Sequence, residues 1–244
     1  MTFADIWWQL LILVVCSYFL GNVNFAILLS KVRNRDITRS GSGNPGTMNM
    51  LRTFGIGLGA ATLGLDVLKG FLPALAGRLI FRGVTEAGFE WGYLAMYLAG
   101  LAVVLGHVFP CLHNRGGKGV ATTIGVFLCG WWWVALICFL AGVLYIFFFE
   151  YGGVGSLIMI TGFVAAQIVR YFLILPRTPE FWVLFGILLV FVLISFVKHR
   201  GNLARMAKGV ENRTKLREMI FGKKKKEGEE SPEEQSPADN DQKN

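Results

Sequence analysis

Three short polar segments, at 39–52, 106–123 and 198–212, hold most of the residues in this chain that could do chemistry. The first, RSGSGNPGTMNMLR, matches the dinucleotide-binding pattern G-x-G-x-x-G, but no strand precedes it, so we reject that interpretation. Its glycines let the backbone turn with exposed N–H groups, which suits an oxyanion, and its last arginine can hold a phosphate. An ordinary Gly/Ser turn is the alternative. The candidate ligand-binding residues are Gly41, Ser42, Gly43, Asn44, Gly46, Thr47, Asn49 and Arg52.

The second segment, GHVFPCLHNRGGKGVATT, places three glycines around Lys118 next to a predicted helix start. A helix N-terminus carries partial positive charge, so this pattern predicts an anion cradle. It is not a Walker A loop, because Leu112 stands where the leading glycine belongs and Gly119 where Ser or Thr belongs. A plain basic loop is the alternative interpretation. The candidates here are Gly116, Gly117, Lys118 and Gly119.

The third segment, KHRGNLARMAKGVEN, follows the last long apolar run. His199, Asn202 and Arg205 or Glu211 could project back toward the membrane surface. Basic helices beside a membrane are common, however, so this segment alone is weak evidence for a site. If all three segments lie on the same side of the membrane, we expect them to form one anion-binding pocket.

Asp66 and Lys69 lie three residues apart inside an apolar run, on one helix face. An ionisable pair at membrane depth is costly unless its members pair or line a polar site. We favour internal pairing and keep a direct functional role as the alternative.

Several common catalytic patterns are missing from the sequence. It contains no HExxH, no Ser-His-Asp order, no nucleophilic cysteine motif and no His-x4-Asp. The four cysteines show neither a pairing rhythm nor metal-ligand spacing. We therefore expect no metal and no cofactor, and chemistry that depends on the phosphate site itself.

The composition predicts that helices in a membrane position these segments. Hydrophobic residues make up 54% of the 244 residues and charged residues only 16%, whereas soluble domains carry about a quarter charged residues. A crossing needs about 20 apolar residues. The sequence thus predicts an all-α integral membrane protein whose site is built from loops between helices. The predicted spans are 6–30 (uninterrupted), 54–80, 91–110, 120–149, 153–175 and 180–198.

Loop charges predict the orientation, because Lys and Arg stay cytoplasmic. Basic residues crowd three connections, at 31–52, 115–118 and 198–226, and all three should therefore lie inside. This requires 120–149, which is too long for one straight crossing, to break near Gly130 into two helices. We predict seven helices in all, with the N-terminus outside and the C-terminus in the cytoplasm.

The sequence changes character near residue 221. Residues 1–221 are expected to form a polytopic membrane domain, and 222–244 a charged, disordered cytoplasmic tail, because that stretch lacks apolar side chains to bury. The formal charge of +8 lies in connections and tail, so it indicates topology, and no nucleic-acid partner is expected.

Four ordered motifs carry a resemblance to a known family: GSGNPGTMN-x-x-R (41–52), DVLKG (66–70), GHVFP with GGKGVAT (106–122) and HRGNLARMAKGVENR (199–213). The chain resembles the bacterial acyl-phosphate:glycerol-3-phosphate acyltransferases of the PlsY family. The resemblance implies an inner-membrane enzyme with seven helices and a cytoplasmic active site. Such an enzyme transfers an acyl group from acyl phosphate to the sn-1 hydroxyl of glycerol 3-phosphate. The product, lysophosphatidic acid, begins membrane phospholipid synthesis.

Residue roles follow from the resemblance. The implied catalytic residues are Ser42, Arg52, Lys118, His199 and Asn202. Substrate and phosphate binding is implied for Gly41, Gly43, Asn44, Asn49, His107, Gly116, Gly117 and Gly119. A supporting role is expected for Asp66, Lys69, Arg205 and Glu211. The chain departs from the family pattern at Asn22, at Thr47-Met48, and in a shorter stretch at 111–115.

The expected partners are glycerol 3-phosphate, acyl phosphate and membrane lipid. The soluble enzyme that forms acyl phosphate and the next acyltransferase are further candidates. Two alternatives stay open: a non-enzymatic organophosphate transporter, and a membrane acyltransferase that uses acyl-CoA. A transporter needs a polar path through the helices, and Asp66, Lys69 and Arg170 are the only charged residues at depth, which is sparse.

Overall fold

Helices make up most of the structure, a computed structural model that describes residues 3–222. They are α1 (Phe3–Asn22), α2 (Phe25–Val32), α3 (Thr47–Phe54), α4 (Ile56–Ile80), α5 (Trp91–Val108), α6 (Val120–Phe149), α7 (Gly152–Ile174), α8 (Pro179–Ala207) and α9 (Leu216–Phe221). A 3₁₀ turn lies at Ile37–Arg39. Two short antiparallel strands, β1 (Thr85–Glu86) and β2 (Phe89–Glu90), join α4 to α5. The predicted tail, from residue 223 onward, lies outside the described residues.

Six helices in residues 3–222 are long and apolar enough to cross a membrane. They confirm the predicted all-α integral membrane class. Four of the predicted spans start within two residues of the observed starts of α4, α5, α7 and α8. Helix α8 runs nine residues past the predicted end at 198, so the third polar segment begins on the same helix as the last span.

The prediction that the first span is uninterrupted is wrong, because α1 ends at Asn22 and α2 begins at Phe25. The Asn22 side chain donates to the Tyr18 carbonyl at 2.8 Å. The Asn24 side chain accepts from the Ile27 N–H at 3.1 Å and caps α2. The Asn24 side chain thus satisfies one of the backbone N–H groups that the start of α2 leaves without a helical partner.

The long apolar block at 120–149 bends, as the loop charges require. Trp131 has φ −150° and ψ 76°, which are not helical values, one residue from the predicted break at Gly130. Arg170 of α7 donates to the Gly130 carbonyl at 3.4 Å, next to the break. The count of seven crossings stays a prediction, since it requires each part of α6 to cross.

Two glycines bring α4 and α6 into direct backbone contact. A Cβ on Gly70 would overlap the Thr122 carbonyl, and a Cβ on Gly125 would overlap the Val67 carbonyl. Such small residues allow close approach of helices in membranes. The contact holds the start of α6, and the loop before it, against the face of α4 that carries Asp66 and Lys69.

Candidate active site

One cavity of about 510 Å³ lies where the three polar segments meet. Its polar wall comes from α3, the loop before α6, the end of α8 and the segment after α8. Its apolar wall comes from α4, α6, α7 and α9, with the side chains of Leu63, Val120, Ile124, Phe139, Val143, Ile146, Met159 and Leu216. A cavity of this kind suits a ligand with a polar head and an apolar tail.

The five residues predicted to be catalytic all line this cavity: Ser42, Arg52, Lys118, His199 and Asn202. Other predicted residues on its wall are Asn44, Asn49, Asp66, His107, Gly119, Arg205 and Glu211. The remaining ones, Gly41, Gly43, Lys69, Gly116 and Gly117, lie outside the set that lines it. The structure therefore brings the three segments together.

Asn49 organises the first segment. Its Oδ1 accepts from the Ser42 N–H at 3.0 Å, and its Nδ2 donates to the Ser40 carbonyl at 2.9 Å. The loop also turns through Gly41 and Gly43, whose φ values of 58° and 67° favour glycine. These bonds engage the Asn49 amide within the loop, so its position favours shaping the loop over donating to a ligand.

Arg52 is held between two chain segments that are far apart in sequence. Its Nη1 donates to Thr214 Oγ1 at 3.0 Å and its Nη2 lies 3.4 Å from Ser42 Oγ. Thr214 is fully buried, and its own N–H donates to the Glu150 carbonyl at 2.8 Å. The guanidinium is thus fixed at the cavity wall, where burial lowers its pKa from the ordinary value.

Lys118 lies at the N-terminal, positive end of α6. The next residue, Gly119, is the N-cap of this helix and has a φ of 79°. Its Nζ donates to Asn202 Oδ1. Burial lowers the pKa of Lys118 to about 8, opposed by the Glu211 carboxylate and assisted by the cations Arg205 and Arg52. The ammonium remains mostly charged at neutral pH and faces the ligand space.

Glu211 completes a chain of hydrogen bonds that begins at Lys118. Asn202 Nδ2 donates to Glu211 Oε1 at 2.5 Å, and Arg205 Nε donates to Glu211 Oε2 at 2.7 Å. The carboxylate therefore orients the Asn202 amide so that its oxygen faces Lys118. Arg205 and Glu211, expected to support the site, occupy its third wall.

His199 is almost completely buried on α8 and lines the cavity. Its Nδ1 lies 2.8 Å from the Ser195 carbonyl, which can only accept, so Nδ1 carries the proton. Nε2 is then left as an acceptor. This arrangement holds the ring and presents a lone pair on its other nitrogen.

Asp66, Lys69 and His107 form a second buried cluster beside the cavity. Lys69 Nζ lies 3.0 Å from Asp66 Oδ1 and 2.9 Å from His107 Nδ1. Asp66 and His107 line the cavity, whereas Lys69 lies behind them. The pairing of Asp66 with Lys69 agrees with the interpretation favoured from sequence.

Sequence reasoning missed several residues near the cavity. Lys198 lines it and donates to the Val108 carbonyl at 3.3 Å, while Ser156 and Asn212 add polar groups. Thr214 contacts Arg52 from just beyond the third motif. A buried threonine between charged residues in a polar segment carries no signal of its own, so only the fold could reveal it.

Asn22, one of the departures from the family pattern, holds the shortened stretch before the glycine loop. Its Oδ1 accepts from the backbone N–H groups of Cys111 at 2.7 Å and Leu112 at 3.1 Å. Arg115 donates to the Thr38 carbonyl at 2.7 Å, which links this stretch to the residue just before the first segment. Two of the departures from the family pattern, Asn22 and the shortened stretch at 111–115, are therefore in direct contact.

Fold and site together define an integral membrane protein with a cation-lined pocket for a ligand that is both anionic and apolar. Residues 11–209 match the model of the family described as glycerol-3-phosphate acyltransferase. The chain belongs to this family, and the predicted PlsY-type resemblance is confirmed.

Individual relatives and solved structures agree over most of the chain. The glycerol-3-phosphate acyltransferase of Mesorhizobium japonicum is 39% identical over 206 residues, with 84% of this chain and 95% of the relative covered. That of Gluconobacter oxydans is 37% identical over 210 residues, with 85% and 94% covered. The glycerol 3-phosphate form of PlsY, an integral membrane glycerol 3-phosphate acyltransferase, superposes with a TM-score of 0.74 at 30% identity, covering 87% of this chain and 99% of PlsY. Its lysophosphatidic acid form gives 0.72 at 31% identity, with the same coverage.

Proposed function

We propose that this protein transfers an acyl group from acyl phosphate to the sn-1 hydroxyl of glycerol 3-phosphate and releases lysophosphatidic acid. The observation that carries the proposal is that Arg52, Lys118 and Arg205 line the same cavity as an apolar wall. The cations suit the phosphates of donor and acceptor, and the apolar wall suits the acyl tail. The structures of PlsY with glycerol 3-phosphate and with lysophosphatidic acid support this assignment.

The reaction needs positioning and charge neutralisation more than acid catalysis, because acyl phosphate is an activated anhydride. The acceptor hydroxyl oxygen attacks the acyl carbonyl carbon and forms the ester bond. The bond between that carbon and the phosphate oxygen breaks, and phosphate leaves with the bonding electrons. The hydroxyl proton passes to a phosphate oxygen, which makes a protein base unnecessary.

Each wall of the cavity has a distinct task in this proposal. Ser42 and Arg52 hold one phosphate, and the turn at Gly43 shapes the loop that carries Ser42. Lys118 neutralises the other phosphate, and Gly116 and Gly117 form the loop that positions it. The acceptor is placed by His199 and Asn202, and the latter is oriented by Glu211. The surrounding loops contain Gly41, Asn44, Asn49 and Gly119. His107, which belongs to the second buried cluster and lines the cavity, contacts the substrate.

The site is proposed to face the cytoplasm of a bacterium from its inner membrane. Positive loop charges support this orientation, with the N-terminus outside and the C-terminus inside. The membrane domain at 1–221 performs the chemistry, and the tail at 222–244 lies on the cytoplasmic side. The enzyme that makes acyl phosphate and the acyltransferase that consumes the product are proposed as partners on that side.

A donor assay tests the proposal against its two alternatives. Purified protein is incubated with glycerol 3-phosphate and either palmitoyl phosphate or palmitoyl-CoA, and the product is quantified by mass spectrometry. We expect lysophosphatidic acid from the phosphate donor alone, with a Lys118→Ala variant as the inactive control. Equal rates with both donors would favour an acyl-CoA enzyme. No product from either, together with uptake of glycerol 3-phosphate into proteoliposomes, would favour a transporter.

A further inference from the structure

The hydrogen bonds of Lys69 fix the position of the proton on a neighbouring histidine. Its Nζ lies 3.0 Å from Asp66 Oδ1, 2.7 Å from the Val23 carbonyl and 2.9 Å from His107 Nδ1. An ammonium has N–H donors and no acceptor, so the two groups that it hydrogen-bonds, the Val23 carbonyl and His107 Nδ1, must accept, while Asp66 pairs with it through charge. His107 Nδ1 is therefore unprotonated, and the ring proton is on Nε2.

The charges of the cluster agree with a neutral ring. Asp66 and Lys69 form an ion pair whose side chains are almost completely buried, and they balance each other's charge. A doubly protonated His107 would point a second N–H at the Lys69 ammonium, which repels it. The imidazole is thus a neutral group with its N–H on the nitrogen away from Lys69.

The protonated nitrogen lies at the base of the glycine loop. The His107 carbonyl accepts from the Gly117 N–H at 3.0 Å. A Cβ on Gly117 would overlap the ring, with Nε2 as the nearest atom. His107 is only 4% exposed, yet it lines the cavity. The residue that its carbonyl bonds, Gly117, directly precedes Lys118 in the loop.

Within residues 3–222, the hydrogen bonds of the His107 ring go to Lys69 alone. Nε2 has no partner among these residues and is not completely enclosed, so its N–H reaches the open space of the cavity, where a ligand or water can accept it. The donor is uncharged, unlike Arg52 and Lys118. It can bond an oxygen that carries charge only as the reaction proceeds, without holding the ground-state phosphate tightly.

We propose that His107 donates its Nε2–H to an oxygen of the bound acyl substrate or product, and that Lys69, paired with Asp66, is the positioning residue that keeps the proton on Nε2. This inference rests on the proposed acyl transfer, because it takes the substrate from there. The tautomer itself follows from geometry and holds whatever the substrate is.

Nitrogen-15 NMR tests the tautomer and the contact. The chain has three histidines, so protein labelled with [15N]histidine gives few ring signals, which the His113→Gln and His199→Gln variants assign. We expect His107 to show a protonated Nε2 and an unprotonated Nδ1, and lysophosphatidic acid to shift the Nε2–H signal. A protonated Nδ1, or a signal that lysophosphatidic acid leaves unchanged, overturns the proposal. In Lys69→Met the Nε2–H preference should weaken.

Kinetics separate the donor from a purely structural role. His107→Asn keeps an acceptor near Lys69 but has no donor that reaches the Nε2 position, whereas His107→Gln places an amide N–H near it. We expect kcat to fall more than threefold in His107→Asn at unchanged KM for glycerol 3-phosphate, and to be partly restored in His107→Gln. His113→Gln is the matched control, since this histidine lies outside the cavity lining.

A kcat for His107→Asn within threefold of the unmodified protein overturns the proposal, as does a loss that His107→Gln does not relieve. Thermal unfolding of each variant checks that it is folded. Failure of the acyl-transfer assignment looks different. In that case the unmodified protein makes no lysophosphatidic acid, while the tautomer measurement is unaffected.

Discussion

Replacing Glu211 by glutamine should disable the site through both hydrogen bonding and charge. The Glu211 side chain is only 6% exposed and accepts from Asn202 through one oxygen and from Arg205 through the other. Glutamine keeps one acceptor oxygen but turns the other into an NH₂ group. That group must face a second donor in either orientation. A buried donor facing a donor costs about 1–3 kcal/mol, which corresponds to a roughly five- to 150-fold loss in kcat/KM if the cost falls on the active arrangement.

The second effect acts on Lys118. Burial lowers its pKa to about 8, and the Glu211 carboxylate opposes that shift. Loss of this negative charge lowers the pKa of Lys118 further, and an interaction of about 1.4 kcal/mol corresponds to one unit. At pH 7.5 the charged fraction would then fall from about three quarters to about one quarter. Because the proposal needs a charged Lys118, the loss of activity with rising pH should begin at a lower pH in the variant than in the unmodified protein.

The measurement is kcat/KM for glycerol 3-phosphate between pH 6 and 9, corrected for spontaneous hydrolysis of acyl phosphate. We expect the alkaline limb of the profile in Glu211→Gln to move about one unit toward acid, together with a lower plateau. Glu218→Gln is the matched control, because Glu218 pairs with Lys215 at 3.0 Å on the surface. An alkaline limb that stays in place or moves to higher pH would refute the electrostatic role assigned to Glu211.

Three further predictions use the same assay or simple labelling. His199→Gln should retain measurable turnover, because its amide oxygen can accept where Nε2 does; loss of all activity at normal KM would indicate a histidine base. Thr214→Val should raise KM for glycerol 3-phosphate about tenfold by releasing Arg52, and Thr214→Ser should restore it; equal KM values would remove Thr214 from the site. In intact cells that express the protein without its four native cysteines, a cysteine introduced at Thr85 should react with impermeant maleimide, and one introduced at Asn240 should not. Labelling at position 240 would contradict seven crossings.

The spans could be predicted because membrane helices follow from length and apolarity alone. Even the bend near Gly130 follows from loop charges, since the parity of crossings requires it. The break between α1 and α2 could not be predicted in this way. It lies at Asn22 and Asn24, whose side chains bond backbone groups on either side of it, and a 25-residue apolar run hides two amides of this kind.

Polar segments in an apolar chain made the site predictable as a set of residues, but not as a set of contacts. Asn49 looked like a ligand donor, yet its amide bonds the backbone of its own loop. Thr214 looked like an ordinary residue near the end of the membrane domain, yet it holds Arg52. Both outcomes depend on which segments meet in space, and spacing along the chain carries no information about that.

The two buried histidines that line the cavity carry opposite tautomers, and this division follows from their neighbours. Lys69 can only donate, so His107 keeps its proton on Nε2, whereas the Ser195 carbonyl can only accept, so His199 keeps its proton on Nδ1. One ring therefore offers a donor to the cavity and the other an acceptor. The proposed acyl transfer can use both: a donor for the carbonyl oxygen that gains charge, and an acceptor for the second hydroxyl of glycerol 3-phosphate, which does not attack. On this mechanism neither ring changes its protonation state, and the proton of the attacking hydroxyl passes to a phosphate oxygen of the substrates.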